Sequence, residues 1–321
     1  MDSPTAPIRV AVTVDELVLW DGSPIPAGDS APAIVRRLCD ALAAHHIEGV
    51  YGFPHTYPLT LNPSLREVLS LWTERGHHIG SHTHFHAPLP WISGDAYVDD
   101  IRRGEDILGN HLEQAPKHYF RYAMDMSGGS EAQRGIVEDY LRTNSITTAP
   151  ITSWFGDFAW IAPYFRAHHN RDHEATKMLR DAYVQAAVFN LNCHAKAARQ
   201  LFGRDIPLIW LIHASPIAAD MLDTVLAAFE SQGVEFISLD EAMQDQSNKA
   251  LPPVAPGFRN HLDRYFIANN IEPDRIPAES FAAVLNASPL EGYASIPDVY
   301  EDAILKPIAA RAGGTYSWNW A

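Results

Sequence analysis

RVAVTV, residues 9–14, is a continuous β-branched run of the kind a parallel strand buried on both faces needs. The next patterned segment has a different period. SAPAIVRRLCDALAAHH at 30–46 carries helical spacing, with Ser30 or Asp29 as cap and Pro32 near the first turn. The alternation then continues along the chain. Strands are predicted at 48–53, 77–82, 118–121, 145–151, 207–213 and 234–239, and helices at about 63–75, 94–113, 130–143, 166–202 and 218–232. Seven strands separated by helices predict a parallel α/β architecture, either barrel or open sheet.

Composition shifts after residue 249. ALPPVAPGF at 250–258 is a proline-rich connector, and the remainder reads as short helices with no convincing strand. The expected organisation is therefore an α/β unit over 1–249 and a helical C-terminal extension over 250–321, packed on that unit or used for contact in a homo-oligomer. The 321 residues, 46% hydrophobic, can bury a full core. A net charge of −15 argues against nucleic acid or an anionic membrane surface as partner, since both need a basic footprint. No run of apolar residues is long enough to span a membrane. MDSPTAPIRVAVTV lacks the basic start and apolar stretch of a signal segment, which points to the cytoplasm, although a chain shorn of its signal peptide would read the same. Cys39 and Cys193 are far apart, in no CxxC pattern, and are expected as two buried free thiols.

In such folds chemistry gathers where strands end and loops begin. Asp15 and Glu16 end the first strand, His82, His84 and His86 come after the third, and Arg121 ends the fourth. Asp157 comes after the fifth and His213 ends the sixth, so groups from five strands converge on one rim. GHHIGSHTHFHAPL at 76–89 is the densest stretch, with five histidines in its first eleven residues. On one turn of helix residues four apart share a side, so His82 and His86 could hold one ion, with His84 pointing elsewhere. His78 and His82 have the same spacing, so spacing leaves both pairs open. No thiolate lies nearby, which excludes a cysteine–zinc site. Two imidazoles and one carboxylate would leave positions open for water and substrate. Taken singly, each residue also has a bland reading: a solvated turn histidine, a carboxylate capping a turn, an arginine in a surface ion pair. Trp91, Trp154, Phe158 and Trp160 could stack on sugar faces but as large apolar residues are more often packing, and Trp318 and Trp320 could simply anchor the tail.

These residues, in this order, resemble the polysaccharide deacetylases, carbohydrate esterase family 4, over roughly residues 8–246. TVDE at 13–16 stands where the family has TFDD. The second motif, H-[S/T]-x-x-H after Gly-His, is matched by His82, Thr83 and His86; FRYA at 120–123 occupies the place of F-R-x-P. WFGDF at 154–158 loosely matches D-x-x-D-W, and LIH at 211–213 matches L-x-H. The resemblance implies a deformed seven-stranded (β/α) barrel and hydrolysis of an amide or ester with a divalent metal, zinc foremost, with cobalt, nickel or manganese as alternatives. It implies Glu16, His82 and His86 as ligands, leaving His77, His78 and His84 outside the site. Asp15 would be the base, His213 the acid, Arg121 the partner of Asp15 and Asp157 that of His213. A backbone N–H just after Arg121 would bind the oxyanion, Leu211 would line the acyl pocket, and Tyr122, Trp154 and Phe158 would face substrate.

Three departures from the family pattern bear on substrate. Glu16 replaces an aspartate and has a longer arm, Ala123 replaces a proline, and Trp154 and Phe158 replace an aspartate and a tryptophan. The leading expectation is removal of an acyl group, N-acetyl foremost, from an amino sugar or glycan. The alternatives are a small-molecule amidohydrolase of cyclic imide or ureide type, a binding protein that has lost its chemistry, and, more distantly, an iron(II) oxygenase on the same ligand face.

Overall fold

The computed structural model of the chain describes residues 7–20, 22–254, 259–272 and 296–318. Its first strand, β1 (Arg9–Asp15), is the hub: every neighbour it has is parallel. It pairs with β6 (Leu208–His213) along its length, with β7 (Glu235–Ile237) at its start and with β2 (Tyr51–Phe53) at its end. β2 pairs with β3 (His78–Ile79), and β4 (Tyr119–Phe120) with β5 (Thr147–Thr148). Two isolated bridges, Ser81 to Phe120 and Ser153 to Trp210, carry the neighbour sequence from β3 to β4 and from the segment after β5 back to β6. The result is an α/β fold of parallel strands, a five-stranded sheet and a two-stranded one joined by these bridges, with strands shorter than the sequence predicts.

Period-two alternation sorts β1 into two cores. Val10, Val12 and Val14 pack outward against helices, in a cluster with Leu208, Trp210 and Ile212 of β6. Ala11 faces the interior with Tyr51, Phe53, Tyr119 and Ile209. Each fully buried valine of this kind contributes about 1.5–3 kcal/mol. Where the strands crowd most, only glycine fits: a Cβ on Gly80 would lie 2.3 Å from the Phe53 ring.

The helices begin as their caps direct. Ser30 caps Ala31–Ala44 by accepting from the Ala33 N–H at 3.3 Å, and Ser93, Ser130 and Ser215 do the same for the helices they precede. Each such cap is worth about 1 kcal/mol. The helix expected at 166–202 is two, Ile161–His169 and His173–Phe202, broken where Arg171 takes a φ of 54°. That expected at 94–113 breaks at Gly109. Cys39 is buried, but Cys193 is only half-buried, and the two form no disulfide with each other.

Part of the C-terminal extension closes over the rim. Tyr300, Ile304, Leu305 and Ile308 share a core with Leu89, Trp91, Phe120 and Ala162. The chain then runs against Trp91, whose carbonyl accepts from the Thr315 N–H at 3.0 Å and whose indole N–H donates to the Ser317 carbonyl at 2.7 Å. Trp320 lies outside the described residues.

Candidate metal centre

Register places the first two groups. Asp15 is the partner of His213 across β1 and β6, and side chains at one register position on neighbouring strands face the same way. Both strand ends point into the rim, and both residues are buried. Arg121, at the end of β4, is fully buried and meets them from the far side. Its guanidinium donates to Asp15 Oδ1 at 2.6 Å, to Thr13 Oγ1 at 2.9 Å and to the Ala149 carbonyl at 3.3 Å, and it lies 4.2 Å over the Phe53 ring. A buried arginine is tolerable only with such partners.

One residue on, the backbone turns. Glu16 has a φ of 56°, a conformation that costs a non-glycine residue about 1–3 kcal/mol. The turn delivers its carboxylate to His82 and His86. These two histidines are not on a helix, contrary to the expectation from their spacing. They sit in a loop after β3, with Thr83 and His86 both at positive φ, 65° and 63°. The loop is held by Asp100, which accepts the Phe85 N–H at 3.1 and 3.2 Å, and by Thr83 Oγ1, which accepts the His86 N–H at 3.1 Å.

Glu16, His82 and His86 bring one ligand atom each within 4.8 Å of one another. Glu16 Oε1 is 2.8 Å from His86 Nε2 and 3.6 Å from His82 Nε2, and the two imidazole nitrogens are 3.1 Å apart. Ligands on a tetrahedral zinc at about 2.0 Å are about 3.3 Å from each other. His82 donates its Nδ1–H to the Arg121 carbonyl at 2.8 Å, which leaves a lone pair on Nε2. Neither Glu16 oxygen has a hydrogen bond of acceptable angle among the described residues. A shared proton could satisfy one edge of this triangle, whereas a cation at its centre satisfies all three. The residues fit a divalent metal.

Glu16 also has a partner the sequence reading missed. His55, after β2, is buried with its Nδ1 against Glu16 Oε2. Burial alone would raise the Glu16 pKa, but the imidazoles of His55 and His86 hold it well below the usual carboxylate range. The signal for His55 was its position at a strand end in FPHT, the same criterion that selected the others.

His213 and Asp157 form the second pair. Fully buried Asp157 accepts the His213 Nδ1–H at 2.8 Å and its backbone N–H at 2.7 Å. Burial opposes charging the ring, but the Asp157 carboxylate outweighs it, helped by Asp15 and Glu16, and pushes His213 up to about 9. Burial pushes His82 the other way, to about 4.

A cavity of about 260 Å³ opens beside Asp15, His86 and His213. Of the residues expected to face substrate, Trp154, Phe158 and Leu211 line it. Tyr122 lies elsewhere: its ring is in the core beside Tyr97 and its hydroxyl donates to Glu138 at 2.6 Å. His84 is turned away, its Nδ1 at 2.8 Å from Thr56 Oγ1, and His77 Nδ1 accepts the Val50 N–H at 3.3 Å. Trp20, Met124, Asp125, Asn260, Tyr300, Ile304 and Leu305 were not anticipated on this wall. For the last four, nothing local marked them; only packing of the extension brings them there.

The sequence model of the family described as polysaccharide deacetylase matches residues 3–127. No curated protein matches the chain. Among solved structures, a mutant of BA3943, described as a CE4 family pseudoenzyme, aligns with a TM-score of 0.51 at 15% identity, over 74% of this chain and 67% of that one. Wild-type BA3943 from Bacillus anthracis, likewise described, gives 0.50 at 14% identity, over 74% of this chain and 66% of that one. A family 4 acetyl xylan esterase from Clostridium thermocellum, in complex with a cobalt ion, gives 0.46 at 17% identity, over 74% of this chain and 90% of that one. At these identities the likeness to the two BA3943 structures is one of fold.

Proposed function

We propose that the chain is a divergent member of the polysaccharide deacetylase family and, from that premise, a metal-dependent hydrolase removing an acyl group from an amide or ester. The observation that supports this best is the Glu16, His82 and His86 triangle standing beside Asp15 and His213 in register. A divalent cation held by those three residues, zinc foremost, would supply a Lewis acid for the acyl carbonyl and for water. Arg121 holds Asp15 Oδ1, leaving Oδ2, 3.7 Å from His82 Nε2, to take the proton of the attacking water. Of the amides after Arg121, that of Ala123 is taken by the Tyr97 hydroxyl at 3.1 Å; we assign the oxyanion to the N–H of Met124, a residue of the cavity wall. His213, its Nδ1 committed to Asp157, gives the Nε2 proton to the departing nitrogen or oxygen. Water's oxygen ends on the acid product, and the C–N or C–O bond breaks.

Elemental analysis of purified protein tests the reading first. The wild type should carry about one divalent ion per chain, removed by chelation together with turnover of an aryl acetate. His82→Ala with His86→Ala should lose the ion, while His84→Ala keeps it, since that ring is spent on Thr56. Equal loss in His84→Ala would sink the ligand set.

Glu16→Gln should weaken metal binding strongly. His55→Ala should weaken it by about 10–100-fold, the usual effect of removing a group that orients a ligand. Competition with a chromophoric chelator measures both. Unchanged affinity in His55→Ala would mean that the contact with Glu16 is incidental.

A further inference from the structure

The cavity's walls are at odds with a glycan. Apart from the reacting groups, its lining is mainly aromatic and aliphatic: Trp20, Phe158, Tyr300, Ile304, Leu305 and Trp318. Four of these come from the C-terminal extension, which is tied down where Tyr300 bonds the Phe158 carbonyl and Ser317 bonds Trp91. A sugar brings a hydroxyl on nearly every carbon, and each one left unpaired against such a wall costs roughly tenfold in affinity. Size points the same way. An apolar cavity of about 150 Å³ accommodates benzene, so one of about 260 Å³ takes a ring with a small substituent.

Among the described residues, Asn260 and Asp125 stand on the same wall. Asn260 is committed at both ends, Oδ1 accepting the Asp263 N–H at 2.8 Å and Nδ2 lying 3.2 Å from His194 Nε2. Asp125 is different. It is 8% exposed, lines the cavity, and its Oδ2 has no hydrogen-bond partner among the described residues. It and Met124 are held at positive φ, 50° and 53°, by the turn just after Arg121. Its sealed Oδ2 cannot itself meet a ligand, but neither carboxylate oxygen has a hydrogen bond among the described residues, and a carboxylate kept so in a strained turn on a cavity wall is suited to a donor that arrives with the ligand.

We infer that this cavity binds a compact aromatic amide whose N–H is accepted by Asp125, and that the C-terminal extension bars glycan chains from it. That the ligand is also a substrate rests on the hydrolase reading above; its binding does not. Burial carries the proton affinity of Asp125 up to about 7, against the pull of Arg264 and Arg121, so near neutral pH the group keeps an accepting oxygen in either form.

Calorimetry on the full chain, without added metal, tests the inference with three probes: benzamide, N,N-dimethylbenzamide and a tetramer of N-acetylglucosamine. Burying the ring should make benzamide bind about thirtyfold more tightly than the tetramer. Loss of the N–H should weaken the dimethyl compound by about tenfold, and Asp125→Ala, checked for folding by circular dichroism, should erase that difference. A tetramer that binds as tightly as benzamide overturns the inference, as does an N–H preference unchanged in folded Asp125→Ala. Turnover of the same compounds by metal-loaded protein separates the two readings. Benzamide bound, with neither it nor an aryl acetate hydrolysed by the metal-loaded protein, sinks the hydrolase and leaves the cavity assignment standing. Efficient deacetylation of the tetramer does the reverse.

Discussion

Asp15→Asn is expected to lower kcat/KM by about 10³-fold while sparing metal content. Asparagine keeps the shape of the side chain and an oxygen for the Arg121 hydrogen bond at 2.6 Å, but it cannot take a proton from water. Stability must be measured alongside, because the change leaves a fully buried guanidinium without its charge partner, and such losses cost about 3–5 kcal/mol. Urea unfolding at one pH gives that figure, and single-substrate kinetics on the folded fraction gives the other. Activity within tenfold of wild type would remove Asp15 from the role of base.

The second large effect belongs to Asp157→Asn. His213 is held protonated up to about 9 against its own burial, chiefly by the Asp157 charge. Asparagine can still accept the Nδ1–H with its one oxygen, so the ring loses its stabilising charge, but its amide nitrogen then meets the His213 backbone N–H, and folding must be checked alongside. The alkaline limb of the rate should then fall to the ordinary imidazole value of about 6.5 or below, and the rate at pH 8 by about 30-fold or more. The effect on stability has a definite sign. A folded pKa raised above the unfolded one contributes stability that is fully present below about pH 6.5 and is lost as pH rises through about 9, at most about 3 kcal/mol for a shift of this size. Wild type should therefore lose stability between those limits, and Asp157→Asn should lose much less. A limb that stays in place, or full activity in His213→Ala, would show that another group is the acid.

Much of the site was legible because strand ends are a local property. The alternation of RVAVTV with the helical run after it declares a parallel strand, and a parallel strand places its last residues on the rim. That is why Asp15, His82, Arg121, Asp157 and His213 could be named from position alone. His55 meets the same criterion and was passed over only because a single histidine in FPHT stands out less than five in a cluster. Helical spacing was the wrong geometry for His82 and His86. A loop with two positive-φ residues brings their Nε2 atoms to 3.1 Å, and nothing in the spacing records that.

By itself the sequence determined the architecture, the order of strands along the chain and the titratable groups at their ends, since periodicity, caps and strand termini each depend on a few neighbouring residues. Tertiary structure alone decided which groups touch and what surrounds them. It set Glu16 between His55 and His86, turned Tyr122 into the core, and left Asp125 with an unpaired oxygen beside a wall built from both ends of the chain, Trp20 and Trp318 among them. The reason is physical. Burial and pairing are properties of surfaces brought together by packing, and residues far apart in sequence carry no local mark of the neighbours they will meet.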